Sequence, residues 1–178
     1  MSYLLVPIGI FILLMALIDI FKTILYINGG GKLSSFTARK IWWLYFKLAR
    51  GNAKSPILNF AGGTILMGLV GMWIFLIWAG YSLIYLSDPG SVVDSTTGEN
   101  ADIIGKIYYV GYTLTSLGNG DLKSGSDIWR IVSNVMGMNS MIFISLGISY
   151  LLPVLQAVVD KRTLAVYIYQ LGKTPEEI

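Results

Sequence analysis

The sequence predicts an all-α integral membrane protein with three transmembrane helices and a re-entrant helix and loop between the last two. Three observations carry that prediction. Of the 178 residues, 54% are hydrophobic and 13% charged, against about 25% charged residues in a soluble domain. The apolar stretches Tyr3 to Ile27, Ile57 to Leu86 and Ile128 to Val158 each reach the roughly 20 residues that a helix needs to cross the hydrocarbon of a bilayer. Between the second and third, Ser87 to Asp127 is too polar at its ends to span and too apolar in its middle for a plain loop. A half-membrane helix that turns back fits it, because irregular backbone at membrane depth must be satisfied by protein or by a water-filled pore.

The elements follow in order. Residues 1–28 form the first span, in which Asp19 and Lys22 lie three residues apart and are placed to pair. Lys22 is close enough to the end to reach the interface, so the pair reads as an anchoring device. Residues 29–56 form a linker with Lys32, Arg39, Lys40, Lys47, Arg50 and Lys54 and no acidic residue. In it Ile41, Leu44, Tyr45 and Leu48 recur at helical spacing, with Arg39, Lys40, Lys47 and Arg50 opposite and Trp42 and Trp43 nearby. This pattern predicts an interfacial helix lying on the inner leaflet, capped by Ser35 and freed to turn by Gly29, Gly30 and Gly31. Anionic lipid is the partner such a surface suits; a topology anchor is the alternative. Residues 57–160 form a second unit: an outer helix 57–86 opened by Pro56, a loop region 87–127, and an inner helix 128–158. Gly62, Gly63, Gly68 and Gly71 permit close helix approach in the outer helix. Residues 161–178 form a tail.

Charge sets the expected orientation. The basic linker belongs on the cytoplasmic side, and alternation places Asp88, Asp94, Glu99 and Asp102 outside and Lys161 and Arg162 inside. The expectation is a multi-pass protein of the cell membrane with its N-terminus outside and its C-terminus cytoplasmic. The chain has no cysteine and no histidine, which excludes disulfides, thiolate catalysis and imidazole chemistry. No paired carboxylates stand in a span, no nucleotide motif is present, and no helix carries arginine at every third position. An enzyme, a nucleic-acid partner, an organic cofactor and a conventional voltage sensor are therefore not expected.

The stretch Thr113-Leu114-Thr115-Ser116-Leu117-Gly118-Asn119-Gly120-Asp121 lies between the last two spans. A dehydrated cation needs a ring of oxygens, and successive backbone carbonyls supply it only if all point to one axis. That requirement drives some residues toward positive φ, which glycine adopts without steric cost. Gly118 and Gly120 suit those positions, and the Ser116 hydroxyl adds an oxygen at the inner end. An ordinary Asn-Gly and Gly-Asp turn is the competing reading of the same residues.

This stretch resembles the filter signature of the potassium-channel pore family, T-x-x-T-[VI]-G-[YF]-G-D. Thr113, Gly118, Gly120 and Asp121 agree, and Thr115 stands at one of its open positions; Leu117 replaces a branched aliphatic residue, Ser116 a threonine and Asn119 an aromatic ring. The resemblance covers roughly residues 57–160. It implies a cation channel whose filter is Thr115, Ser116, Leu117, Gly118, Asn119, Gly120 and Asp121, with K+ (or Na+) held by oxygens of Ser116, Leu117, Gly118 and Asn119. It further implies support from Tyr108, Tyr109, Tyr112 and Thr113, with Tyr108 and Tyr109 forming a cuff around Asn119, and an Asp121 carboxylate that braces the filter or lines its mouth. A closed ring needs several copies of the loop, so a homotetramer is expected. The pore helices, Ile103 to Leu114, would aim their negative ends at the cavity. The inner helix would line the pore with Asn139, Phe143, Leu146, Gly147, Tyr150 and Pro153, and bend at Gly137, Gly147 or Pro153; for Asn139 a hydrogen bond between helices is the alternative. A pore permeable to sodium as well as potassium, and a non-conducting membrane adaptor, are the alternatives.

Overall fold

The computed structural model describes residues 4–25, 30–52 and 55–170. Tyr3 and Ile27 of the first span, Gly29 and Lys54 of the linker, and tail residues 171–178 lie outside the described residues. The helices are α1 (Leu5–Leu25), α2 (Lys32–Leu48), α3 (Ala61–Leu86), α4 (Ile103–Leu114) and α5 (Asp127–Gln170). Helices α1 and α5, and α3 with the single 3-10 turn Pro56–Phe60 that leads into it, are long and apolar enough to cross a membrane. Two short strands, β1 (Val92–Asp94) and β2 (Leu122–Ser124), pair antiparallel with Val92 opposite Ser124 and Asp94 opposite Leu122. The fold is thus all-α with three candidate spans, as expected, and α4 has the bounds read for the half-membrane helix. The strand pair flanking it carries too few residues to show a period of two.

Two compact units divide the chain, Met1–Ile142 and Phe143–Ile178. In the first, α1 runs antiparallel to α3: Gly9 lies against Gly80 and Ile84 at one end, and Asp19 meets Trp73 further along. A Cβ added at Gly9 would fall 2.6 Å from the Gly80 carbonyl oxygen, and one at Gly80 would fall 2.8 Å from Leu13 Cγ. Glycine is required at both places by space, not by φ. The glycines that the sequence singled out behave otherwise. Gly62, Gly63 and Gly71 face open space, and only Gly68 is approached, by Ile41 of α2.

Asp19 corrects the sequence reading most sharply. It does not pair with Lys22, which is exposed. It is 3% exposed, and its carboxylate accepts from Leu33 N at 2.8 Å, Ser34 N at 3.1 Å and Trp73 Nε1 at 3.1 Å, and from the Ser34 hydroxyl. The first turn of α2 has unsatisfied N–H groups and a partial positive charge, so a carboxylate from α1 stabilises it across space. Ser35 is therefore not the cap; the helix begins after Gly31 with no local side-chain cap, and the Ser35 hydroxyl only reaches Gly30 O at 3.4 Å. Thr23 completes the joint by accepting from Gly31 N at 2.9 Å.

Helix α2 also departs from the expectation that it lies on the leaflet. Its contacts with α3 run antiparallel: Ser34 shares Asp19 with Trp73, Ile41 sits on Gly68, and Tyr45 Oη is 2.7 Å from Thr64 Oγ1. From the first to the last of these contacts α2 advances about 16 Å and α3 about 14 Å, at ~1.5 Å per residue. The helix therefore follows α3 instead of turning flat. In the second unit α5 continues to Gln170 with Pro153 inside it, beyond the expected end at Val158. Nothing between Val159 and Gln170 stops a helix, and Gln156 bridges to Asp160 at 2.9 Å one turn on.

Asp19→Ala should lower the thermal midpoint of purified protein, read as loss of helical circular dichroism, by the equivalent of about 3 to 5 kcal/mol, because it leaves several buried donors unpaired. Asp19→Asn, which keeps one acceptor oxygen, should fall between. A melting curve for Asp19→Ala that overlays wild type would rule out this joint as a stabilising contact.

Candidate functional site

Helix α4 starts at Asp102, whose carboxylate accepts from Gly105 N at 2.7 Å. It ends in a tight turn, with Ser116 N bonded to Thr113 O at 3.1 Å and Leu117 N to Tyr112 O at 2.9 Å. From there φ changes sign residue by residue. Ser116 is at +57°, Gly118 at +58° and Gly120 at +81°, while Leu117 and Asn119 stay negative. Gly118 and Gly120 have nothing within 4 Å of an added Cβ, so φ alone demands glycine there. Ser116 takes the same left-handed conformation as an L-residue, at a cost of about 1 to 2 kcal/mol. Among the described residues no donor reaches the carbonyl oxygens of Ser116, Leu117, Gly118, Asn119 or Gly120. The segment is exposed in the protomer, Leu117 to 69%.

Both ends of this strand are fixed by Tyr112. Its carbonyl holds Leu117 N, and its buried hydroxyl donates to Leu122 O at 2.7 Å. Leu122 opens β2, and Asp121 O accepts from Ser95 N at 2.9 Å just beyond β1. The tie at Asp121 therefore runs through its backbone, and its carboxylate is exposed. Thr113 and Thr115 turn their hydroxyls back to α4, onto Tyr109 O at 2.8 Å and Gly111 O at 3.2 Å. Tyr108 accepts from the Asn119 amide nitrogen and stacks edge-on with Tyr112, ring centroids 5.1 Å apart. Tyr109 does not join Tyr108 around Asn119. Its side chain is buried and points to Ser124 and Ser133.

That turn of Tyr109 reveals residues which the sequence reading missed. Tyr85 of α3, Tyr109 of α4, Ser124 of β2 and Ser133 of α5 form one hydroxyl cluster, with Ser133 Oγ at 2.7 Å from both tyrosine hydroxyls and 2.8 Å from Ser124 Oγ. Tyr85 is wholly buried, with Trp129 4.8 Å away ring to ring. Trp129 Nε1 donates to Asp88 at 2.9 Å, and the buried Lys106 donates to Asp88 O at 2.6 Å. A pocket of about 360 Å³ behind the exposed segment is lined by Tyr112, Gly118, Gly120, Arg130 and Asn134 among others. Hydroxyl-bearing residues at the outer ends of apolar helices were the available signal, since a buried polar group must find a partner.

The acidic loop is also structural in large part. Asp88 and Asp102 hold the ends of neighbouring helical segments, and Asp94 accepts from Thr97 N and Thr96 N. Those two backbone bonds, Thr97 first, hold the Asp94 carboxyl below its usual range. It therefore stays ionised to more acidic pH than a free aspartate.

Further along α5, the Asn139 amide nitrogen donates to Tyr81 of α3. The interhelical bond is thus what this side chain makes, not an amide left free toward an ion. In the second unit Phe143, Leu146, Gly147 and Tyr150 are half-buried, and Pro153 is exposed on a helix that continues through it.

A family described as "Ion channel" matches residues 68–157, which take in most of α3, all of α4 and the exposed segment, and α5 as far as Ala157. The membrane protein YdjJ of Bacillus subtilis (strain 168) is 33% identical over 171 residues, covering 96% of this chain and 50% of that protein's length. No solved structure matches. The chain is a membrane protein that belongs to the ion-channel family.

Proposed function

We propose that the protein is a cation channel which conducts potassium passively through a homotetrameric ring of the segment Thr115 to Asp121. The observation that carries the reading is the alternation of φ at Ser116, Gly118 and Gly120 over a run of carbonyls with no donor among the described residues. Alternating left- and right-handed residues turn successive carbonyls toward one side of a strand, as a dehydrated cation requires. Oxygens of Ser116, Leu117, Gly118 and Asn119 would hold the ion. Four copies would place the C-terminal, partly negative ends of α4 around the axis, favouring cations. The antiparallel packing of α1 on α3 brings the start of α1 beside the acidic loop, and α2 with its basic residues to the other side. This supports an orientation with the N-terminus outside and the basic face cytoplasmic.

A pore that also passes sodium is favoured by one observation. Asn119 meets Tyr108 through a single amide hydrogen bond where a ring would pack against rings. A hydrogen bond fixes one atom, whereas ring packing resists widening over a larger area.

Ion flux through purified protein in liposomes, with potassium inside and sodium outside, should reverse near the potassium equilibrium potential. Reversal near zero would favour the sodium-permeable pore, and absence of flux would refute conduction altogether. Asn119→Tyr should move the reversal potential of a weakly selective pore toward that for potassium; no movement would show that this position does not set selectivity. Tyr112→Phe removes the bond to Leu122, worth about 1 kcal/mol or fivefold in the clamped population. It should raise relative sodium permeability by up to about that factor, and an unchanged permeability ratio would dismiss the clamp.

A further inference from the structure

Helix α2 presents a surface that conduction does not use. Its face turned away from α3 carries Phe36, Arg39, Lys40 and Trp43, which line an open groove of about 370 Å³. Phe36 is 54% and Trp43 58% exposed. Lys40 Nζ lies 5.5 Å over the Phe36 ring and Lys47 Nζ 5.2 Å over the Trp43 ring, so rings and cations alternate along the helix. Residues 30–52 contain no aspartate or glutamate, so no local carboxylate neutralises the groove.

Depth decides what such a face meets. The N-terminus of α2 is joined to Asp19, fewer than two turns before the end of α1 at Leu25, and from there the helix follows α3 toward its start. The groove therefore runs from the level of the last turns of α1 toward the start of α3, the end at which both spans approach the headgroups. Buried Asp19 fixes the N-terminus, while Ile41 and Tyr45 occupy the opposite face against α3. The four groove residues are thus presented outward on a firmly docked helix. An acidic peptide or a free anion would use the cations and leave two large rings bare to water. A phospholipid uses both, since rings at this depth contact glycerol and upper acyl carbons while the cations meet phosphate.

We propose that this groove binds one anionic phospholipid per protomer, with Arg39 and Lys40 on the headgroup phosphate and Phe36 and Trp43 against the glycerol and upper acyl chains. Binding is read without ion flux, so failure of the conduction reading would leave this site standing, and the reverse holds too.

The experiment is native mass spectrometry of the full chain titrated with phosphatidylglycerol, with phosphatidylcholine of the same acyl chains, and with inorganic phosphate. Phosphatidylglycerol should bind about twenty-fivefold tighter than phosphatidylcholine, since each of the two basic residues on the anionic headgroup contributes about fivefold. Lys40→Gln should reduce the preference about fivefold and Arg39→Gln with Lys40→Gln by more than tenfold. The charge-keeping exchange Arg39→Lys with Lys40→Arg should preserve it, as should Lys161→Gln with Arg162→Gln on α5. Equal binding of the two lipids, a preference that survives loss of both charges, equal loss in the α5 variant, or displacement by inorganic phosphate as effective as by the lipid would each overturn the proposal.

Discussion

Peptide carbonyls in an apolar protein seek donors, and the segment from Ser116 to Gly120 is held in a conformation that gives them none among the described residues. Tyr112 is what holds it. The backbone of that residue fixes one end at Leu117 and its side chain fixes the other at Leu122, so a single position on a regular helix sets the span of the intervening strand. The strain at Ser116 persists because both ends are determined elsewhere. Tyr112 is in turn only as fixed as α4, and α4 is anchored by hydroxyls. Around Ser133 the cluster has four hydroxyl protons and five close contacts, counting the bond from Ser133 to Trp129 O at 2.9 Å. Each proton has an acceptor within the cluster or at Trp129 O. Such a network couples α3, α4, β2 and the first turns of α5 more tightly than their apolar contacts alone.

How much of this was legible follows from where the partners stand in sequence. The three spans and the bounds of α4 depend on composition and helical periodicity, which are local properties. Positive φ at Gly118 and Gly120 was legible because glycine announces it; the same conformation at Ser116 was not, since no intrinsic preference of serine signals it. Asp19 was read against Lys22 because a sequence offers neighbours at i+3 and conceals a donor such as Trp73 on another helix. Ser35 was read as a cap for the same reason, since capping rules consider only adjoining residues, whereas here the acceptor comes from α1. Asn139 was read as pore-lining and is hydrogen-bonded to Tyr81, a choice between two partners that spacing on α5 alone does not make. The pairing of β1 with β2 rests on residues about thirty positions apart, in strands too short to carry a pattern.

Helix α3 shows how one element serves both halves of this arrangement. Lipid tails are as apolar as the side chains they meet, so helices in a bilayer gain little from hydrophobic burial and associate through close packing and hydrogen bonds. Helix α3 supplies both, with Gly80 against α1 and the buried residues Trp73, Ile77, Tyr81 and Tyr85 at intervals of four. At 3.6 residues per turn each step of four advances about 40° beyond a full turn, so the ladder winds by about 120° from Trp73 to Tyr85. Trp73 consequently meets Asp19 of α1, Tyr81 meets Asn139 of α5, and Tyr85 reaches the hydroxyl cluster behind the exposed segment. A spacing of 3 or 3.5 would have kept the polar groups closer to one stripe or wound them the other way. The winding ladder is why a helix with an almost uniformly apolar sequence can hold α1 along its length and α2 at one end, and position α4 at the other.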